Sequence, residues 1–96
     1  MKESQSITNN LLMEVDVLTN RLRNIRQSLK TTHNKALKER LLFENKNVFK
    51  RVQEISKIAE LLNKKAKGKT NYSNLLVEIT KRTLNENQFE SNLFFL

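Results

Sequence analysis

The sequence predicts an all-α protein made of a long helical hairpin and a shorter third helix. Apolar residues recur every three or four positions over two long stretches, which places them on one side of a helix. The chain has no proline and one glycine, so little interrupts those helices. A strand-rich fold would need many more turn residues than this chain has. We therefore expect residues 1–96 to form a single all-α domain.

The first helix is predicted over residues 8–31, with residues 1–7 flexible. Hydroxyl side chains between Ser4 and Thr8 can cap its start. Its apolar positions are spaced four, three, four, three and four residues apart, which is the heptad rhythm of helices that pack along one seam. The seam residues are Leu11, Val15, Leu18, Leu22, Ile25 and Leu29.

A tight helix–helix turn is predicted in residues 30–34, where the first seam ends. The second seam is two residues out of phase with the first, and the insertions of three or four residues found in coiled coils do not produce that shift. The short polar side chains of this segment suit a turn. The competing interpretation is one continuous, locally distorted helix over residues 8–67.

The second helix is predicted over residues 34–67, with Gly68 as its C-terminal stop. Its apolar stripe is wider than a two-stranded zipper needs, which favours a bundle in which each helix touches two neighbours. The seam residues are Leu41, Asn45, Val48, Val52, Ile55 and Leu62. Asn45 is polar at a core position, so it either fixes register or oligomeric state, or lies near an edge where it is solvated.

A shorter third helix is predicted over residues 71–86, weakening at residues 85–88. Its apolar residues are Tyr72, Leu75, Leu76, Val77, Ile79 and Leu84. Residues 87–96 form an apolar tail that we expect to dock on a groove, because disordered segments are rarely so apolar. The first helix, as predicted, is too short to cover the second. We therefore expect oligomerisation, with a homodimer favoured, to complete the bundle.

The net charge of +8 is concentrated in the middle of the chain. Residues 21–69 carry fifteen Lys or Arg and four Glu, whereas both ends are slightly acidic. Such a segment attracts polyanions, nucleic acid among them, although a solvated outer helix face explains the same charges. The candidate polyanion-binding residues are Arg23, Arg26, Lys30, Lys46, Lys50, Lys57, Lys64 and Lys67.

The sequence gives no indication of catalytic chemistry. Cysteine is absent, the single histidine (His33) falls in the predicted turn, and the ten acidic residues are scattered. The triplet Gly68-Lys69-Thr70 lacks the glycine five positions earlier that a phosphate-binding loop requires. We therefore expect no enzymatic activity, no cofactor and no metal. With no signal peptide and no apolar stretch of about 20 residues, we also expect a cytoplasmic location and no membrane partner.

The function predicted from these features is that of a non-enzymatic, basic, helical oligomerisation or adaptor protein. It would bind another macromolecule, such as a protein partner, through its helix faces. One alternative is a nucleic-acid-associated protein that binds the phosphate backbone through the basic central helices. Another is a small helical-bundle chaperone that holds an amphipathic segment of a partner protein.

Overall fold

The fold is a bundle of three α-helices. A computed structural model describes residues 2–66 and 71–95, with side chains for residues 6–65 and 73–87. The helices are α1 (Lys2–Thr31), α2 (Lys35–Ala66) and α3 (Asn71–Phe95), and the described residues contain no strand. They pack against one another in a body 50 Å long. The predicted all-α class, with two long helices and a shorter third, is confirmed.

Two helices extend beyond their predicted ends. α1 begins at Lys2, so it includes most of the segment predicted to be flexible, and α3 continues to Phe95 through residues 85–88. Asparagine and glutamine lower helix stability by only a fraction of a kcal/mol each, roughly 0.7 at most, so they do not end a helix by themselves. α1 and α2 have 30 and 32 residues, so the expectation that α1 is too short to cover α2 is wrong. Gly68 and, apart from Asn87, the side chains of the apolar tail lie outside the described residues.

The turn between α1 and α2 spans residues 32–34, within the predicted segment, so the interpretation as one continuous helix is wrong. Asn34 caps α2: its Oδ1 accepts a hydrogen bond from the backbone N–H of Leu37 at 3.1 Å. The Thr32 hydroxyl accepts one from the N–H of Asn34 at 3.2 Å. Short polar side chains thus replace the backbone partners that a continuous helix would supply.

The apolar core closes within one chain. Leu11 and Val15 of α1, Ile55 and Ala59 of α2 and Leu76 of α3 form one cluster. Near the turn, Ile25 and Leu29 of α1 pack with Leu41 of α2. Every residue of the two predicted seams is buried or half-buried, and none is exposed. Burial of the two seams therefore does not require oligomerisation.

Two ion pairs join α1 and α2 in an antiparallel arrangement. The Arg51 guanidinium donates to both Glu14 oxygens, at 2.6 and 3.0 Å, and Arg21 makes the same two-point contact with Glu44. On each helix the acidic residue precedes the basic one by seven positions, so the antiparallel packing places each acid opposite an arginine. A slip of seven residues would face Glu14 with Glu44 in one direction, or Arg21 with Arg51 in the other. The charge pattern therefore favours a single register of the hairpin.

α3 lies against both other helices, antiparallel to α2 and parallel to α1. Its Ser73 hydroxyl donates to Asn63 Oδ1 at 3.0 Å, and its Lys81 lies 3.9 Å from Glu60. The Thr83 hydroxyl lies 3.0 Å from the Thr19 hydroxyl of α1. These contacts place α3 along the groove between α1 and α2.

Candidate functional site

Three lysines form a row on the outer face of α2. Lys50, Lys57 and Lys64 follow one another at intervals of seven residues, so neighbouring members lie about 10.5 Å apart along the helix axis. All three are exposed, and none forms an ion pair with the described residues. We call them the lysine row. The structure thus leaves three cations on one face in contact with solvent.

The acidic residues closest to the lysine row pair with other cations. Glu54 lies 3.2 Å from Arg51, and Glu60 lies 3.9 Å from Lys81. Hydrogen bonds to Glu14 and Glu54 raise the pKa of Arg51 above its usual range. The hydrogen bond from Arg51 lowers the pKa of Glu14, more than burial raises it, and Arg21 lowers that of Glu44 in the same way. Neither Glu54 nor Glu60 therefore pairs with a lysine of the row.

The other predicted polyanion-binding residues do not join the lysine row. Arg23 and Lys30 are exposed on α1, and Arg23 donates to Asn20 at 3.2 Å. Lys46 is exposed on α2, fourteen residues before Glu60 and therefore on the side of α2 that faces α3. Arg26 is half-buried and takes part in an interaction of its own. Lys67 lies outside the described residues, so the row itself is the compact basic feature.

Within residues 6–31, the side chains along the outermost line of α1 are uncharged. The residues of this line follow a three- and four-residue spacing and are all exposed: Ser6, Asn10, Met13, Val17, Asn20, Asn24, Gln27 and Thr31. Met13 and Val17 lie one turn apart at its centre and are 70% and 65% exposed. We call this surface the uncharged face. The chain has 28 charged residues, and the heptad pattern of the seams did not predict a surface without charge.

Two residues singled out in the sequence have clear positions. Asn45 is buried on the inward side of α2 and takes part in a polar interaction, which does not fit a solvated edge. His33 is exposed in the turn. Among the side chains that the structure describes, no group of three or more His, Cys, Asp or Glu is placed to hold a metal ion.

The inward side of α3 carries four buried polar residues beside its apolar ones. Ser73, Thr80, Thr83 and Asn87 are at most 3% exposed, and Leu76 is the one fully buried apolar residue among the described side chains of α3. We call these four residues the polar seam. Of the apolar residues predicted to pack α3, Leu76 is fully buried and Val77 and Ile79 pack against the main cluster, whereas Leu75 is 43% exposed. With Leu76 between Ser73 and Thr80, the buried residues of α3 are spaced three or four residues apart, so they lie along one side of the helix.

Comparisons with known proteins add no relationship to these observations. No family model, curated protein or solved structure matches this chain. In the described part of the chain, no helix combines the length and the apolar character needed to cross a membrane.

Proposed function

We propose that this chain is a non-enzymatic helical adaptor that self-associates through the uncharged face of α1 and presents its basic α2 surface to a partner. The observation that carries the proposal is the exposure of Met13 and Val17 on a helix face without charge. Exposed apolar residues are ordinary when single, whereas an adjacent pair within an uncharged strip forms a small apolar patch that a second molecule can cover. Two molecules of net charge +8 meet with least repulsion where neither carries charge.

The size of the uncharged face sets the expected strength of this contact. Residues 6–31 extend roughly 40 Å along α1, and a strip about 10 Å wide then covers on the order of 400 Å² per copy. Stable interfaces bury about 800 Å² per partner, so the contact belongs to the weak class. We expect a dimer with a dissociation constant on the order of 10⁻⁵ M or weaker.

Sedimentation equilibrium over a range of protein concentrations tests the proposal. The dimer fraction should rise with concentration in the natural chain and disappear in Val17→Glu. Phe43→Glu is the matched control, because Phe43 is as exposed (68%) but lies on α2. A natural chain that stays monomeric up to about 1 mM would refute self-association. An equal loss of dimer in Phe43→Glu would refute the assignment of the contact to α1.

A second candidate function is binding of a nucleic-acid phosphate backbone by the lysine row. What supports it is the row's exposure and the pairing of its neighbouring acids with other cations, described above. If each lysine neutralises one phosphate of a duplex, the logarithm of the binding constant should fall with the logarithm of salt concentration with a slope of about −2.7. Self-association would place two such rows on one assembly and strengthen the binding through avidity.

Fluorescence anisotropy with a labelled 20-base-pair duplex, in rising salt, measures this slope. The triple variant Lys50→Glu, Lys57→Glu, Lys64→Glu should lose binding. A variant with the same charge change at Lys35, Lys38 and Arg40, all exposed at the start of α2, should lose much less. No binding by the natural chain in low salt would remove this candidate. Equal loss in both variants would show that overall charge is sufficient without the row.

A further inference from the structure

We propose that the groove between α1 and α2 is a binding site for an acid-flanked amphipathic helix of another protein, and that α3 is its exchangeable resident. This site is separate from the uncharged face and from the lysine row. Its failure would therefore leave both proposed functions standing. The inference follows from the residues with which α3 fills the groove.

The first observation is the mismatch between the groove and α3. The groove belongs to a core in which Val15, Val52 and Ile55 are fully buried. α3 contributes Leu76 to that core, with Val77 and Ile79 packed against it, but it also buries the polar seam there. Thr80 satisfies its hydroxyl on the carbonyls of its own helix, at 2.9 Å to both Leu76 and Val77. Such a bond lowers the cost of burying the hydroxyl but adds no attraction between helices. α3 is therefore held less strongly than an aliphatic helix in its place would be.

The second observation is an unpaired acceptor at Asn87. The side chain is 2% exposed, and its Nδ2 donates to the Thr83 carbonyl at 2.7 Å. Its Oδ1 is buried and has no hydrogen-bond partner among the described residues. In water that oxygen would be hydrated, so its burial favours the state in which α3 has left the groove. A helix with an aliphatic residue at this position avoids that cost.

The charges beside the groove indicate which helix fits it. Lys30 follows Thr19, which contacts α3, by eleven residues and therefore lies on the same side of α1, whereas the Arg23 guanidinium donates to Asn20 on the outer face. On the other helix, Lys46 lies on the same side as Glu60, which contacts Lys81 of α3. Cations therefore border both sides of the groove toward the α1–α2 turn. They favour a partner helix with Asp or Glu beside its aliphatic stripe.

A second copy of this chain is a poorer occupant. The α3 helix of another copy would bring the same polar seam and the same unpaired oxygen. Exchange between copies therefore gains no apolar burial, whereas a helix with aliphatic side chains at positions 80 and 87 does. The occupant that the groove favours is a different protein.

Peptide exchange into the full chain tests the proposal. The probe is a fluorescent peptide of residues 71–95 carrying Thr80→Val and Asn87→Leu, which keeps Thr83 to meet Thr19. The same peptide without substitutions is the first control. The second control carries Asn74→Val and Asn85→Leu, which introduce the same two apolar side chains at exposed positions. We expect the probe to bind the natural chain at least tenfold more tightly than either control, as measured by anisotropy.

A locked variant of the chain completes the test. Introducing Thr80→Val and Asn87→Leu into the protein itself should hold its own α3 in the groove and weaken probe binding at least tenfold. Hydrogen exchange should show faster opening of α3 than of α2 in the natural chain, and slower opening of α3 in the locked variant. Three outcomes would each overturn the proposal. These are probe binding no tighter than that of the second control, equal binding to the locked variant, and α3 amides as protected as those of α2.

Discussion

Reversing one charge of the Arg21–Glu44 pair should destabilise the hairpin, and reversing both should restore it. Glu44→Arg replaces a two-point attraction by repulsion between two guanidinium groups. It also removes the penalty for one slipped register, because position 44 would then attract Glu14. The double variant Arg21→Glu, Glu44→Arg recreates an opposite-charge pair in the original register. The comparison therefore isolates the pairing from the identity of the residues.

The size of the effect follows from the exposure of the pair. The two side chains are 46% and 40% exposed, so solvent screens much of their attraction. Exposed ion pairs contribute about 0.2–1 kcal/mol, and the two-point geometry places this one near the upper end. We expect Glu44→Arg to lower the free energy of unfolding by about 1 kcal/mol. In a domain of this size, that corresponds to a fall in Tm of about 4–8 °C.

Thermal and urea unfolding, followed by circular dichroism at the helical minimum, measure these changes. Glu39→Arg is the matched control. It makes the same charge change at an exposed position of α2 that forms no ion pair with the described residues. Its effect should be much smaller. The prediction is wrong if Glu39→Arg loses as much stability as Glu44→Arg, or if the double variant does not recover the stability that Glu44→Arg loses. In 1 M NaCl the difference should largely vanish.

Three further predictions concern pH, the core and α3. Because arginine hydrogen bonds lower the pKa of Glu14 and Glu44, their stabilisation should be complete above a pH of about 4.5 and lost as pH falls through the lowered values; urea unfolding from pH 7 to 2 should be flatter in Glu14→Gln, Glu44→Gln. Ile55→Ala should cost about 2–5 kcal/mol of unfolding free energy because Ile55 is fully buried, whereas Phe43→Ala, at 68% exposed, should cost less than about 0.5 in the same assay. Asn87→Leu should raise the free energy of unfolding by roughly 1 kcal/mol, since it removes a buried unpaired oxygen and adds apolar burial; a loss in urea unfolding would show that the oxygen is satisfied in solution.

The two long helices and their turn could be predicted because the spacing of the apolar residues determines all three. Val15, Leu22 and Ile55 fall on strictly periodic positions, and each is fully buried. The change of phase near Thr32 located the turn without any glycine or proline. Periodicity works here because these helices have one dominant apolar side, so their inward side is not ambiguous.

The inward side of α3 could not be found by polarity. Leu75 and Leu76 are adjacent, so they point in different directions, and the sequence alone gives no preference between them. The structure turns Leu76 and Thr80 inward, four residues apart. A buried threonine in a helix can bond to the carbonyl four residues earlier, so its polar character does not force it to the surface.

The ion pairs and the uncharged face escaped prediction for another reason. The pairing of Glu14 with Arg51 spans 37 residues and depends on how far one helix is shifted along the other, which composition does not determine. Met13 and Val17 lie outside the seam positions, where exposed apolar residues are ordinary when single. They form a distinct surface because the other residues on the same face, within residues 6–31, are uncharged.

The three-residue turn has a consequence for the order in which the molecule assembles. It brings Ile25 and Leu29 against Leu41 across a short stretch of chain, so this contact loses little entropy when the loop closes. Chain synthesis also completes α1 and α2 before α3. For a short interval the nascent hairpin therefore has an uncovered side, which α3 covers once it has been synthesised.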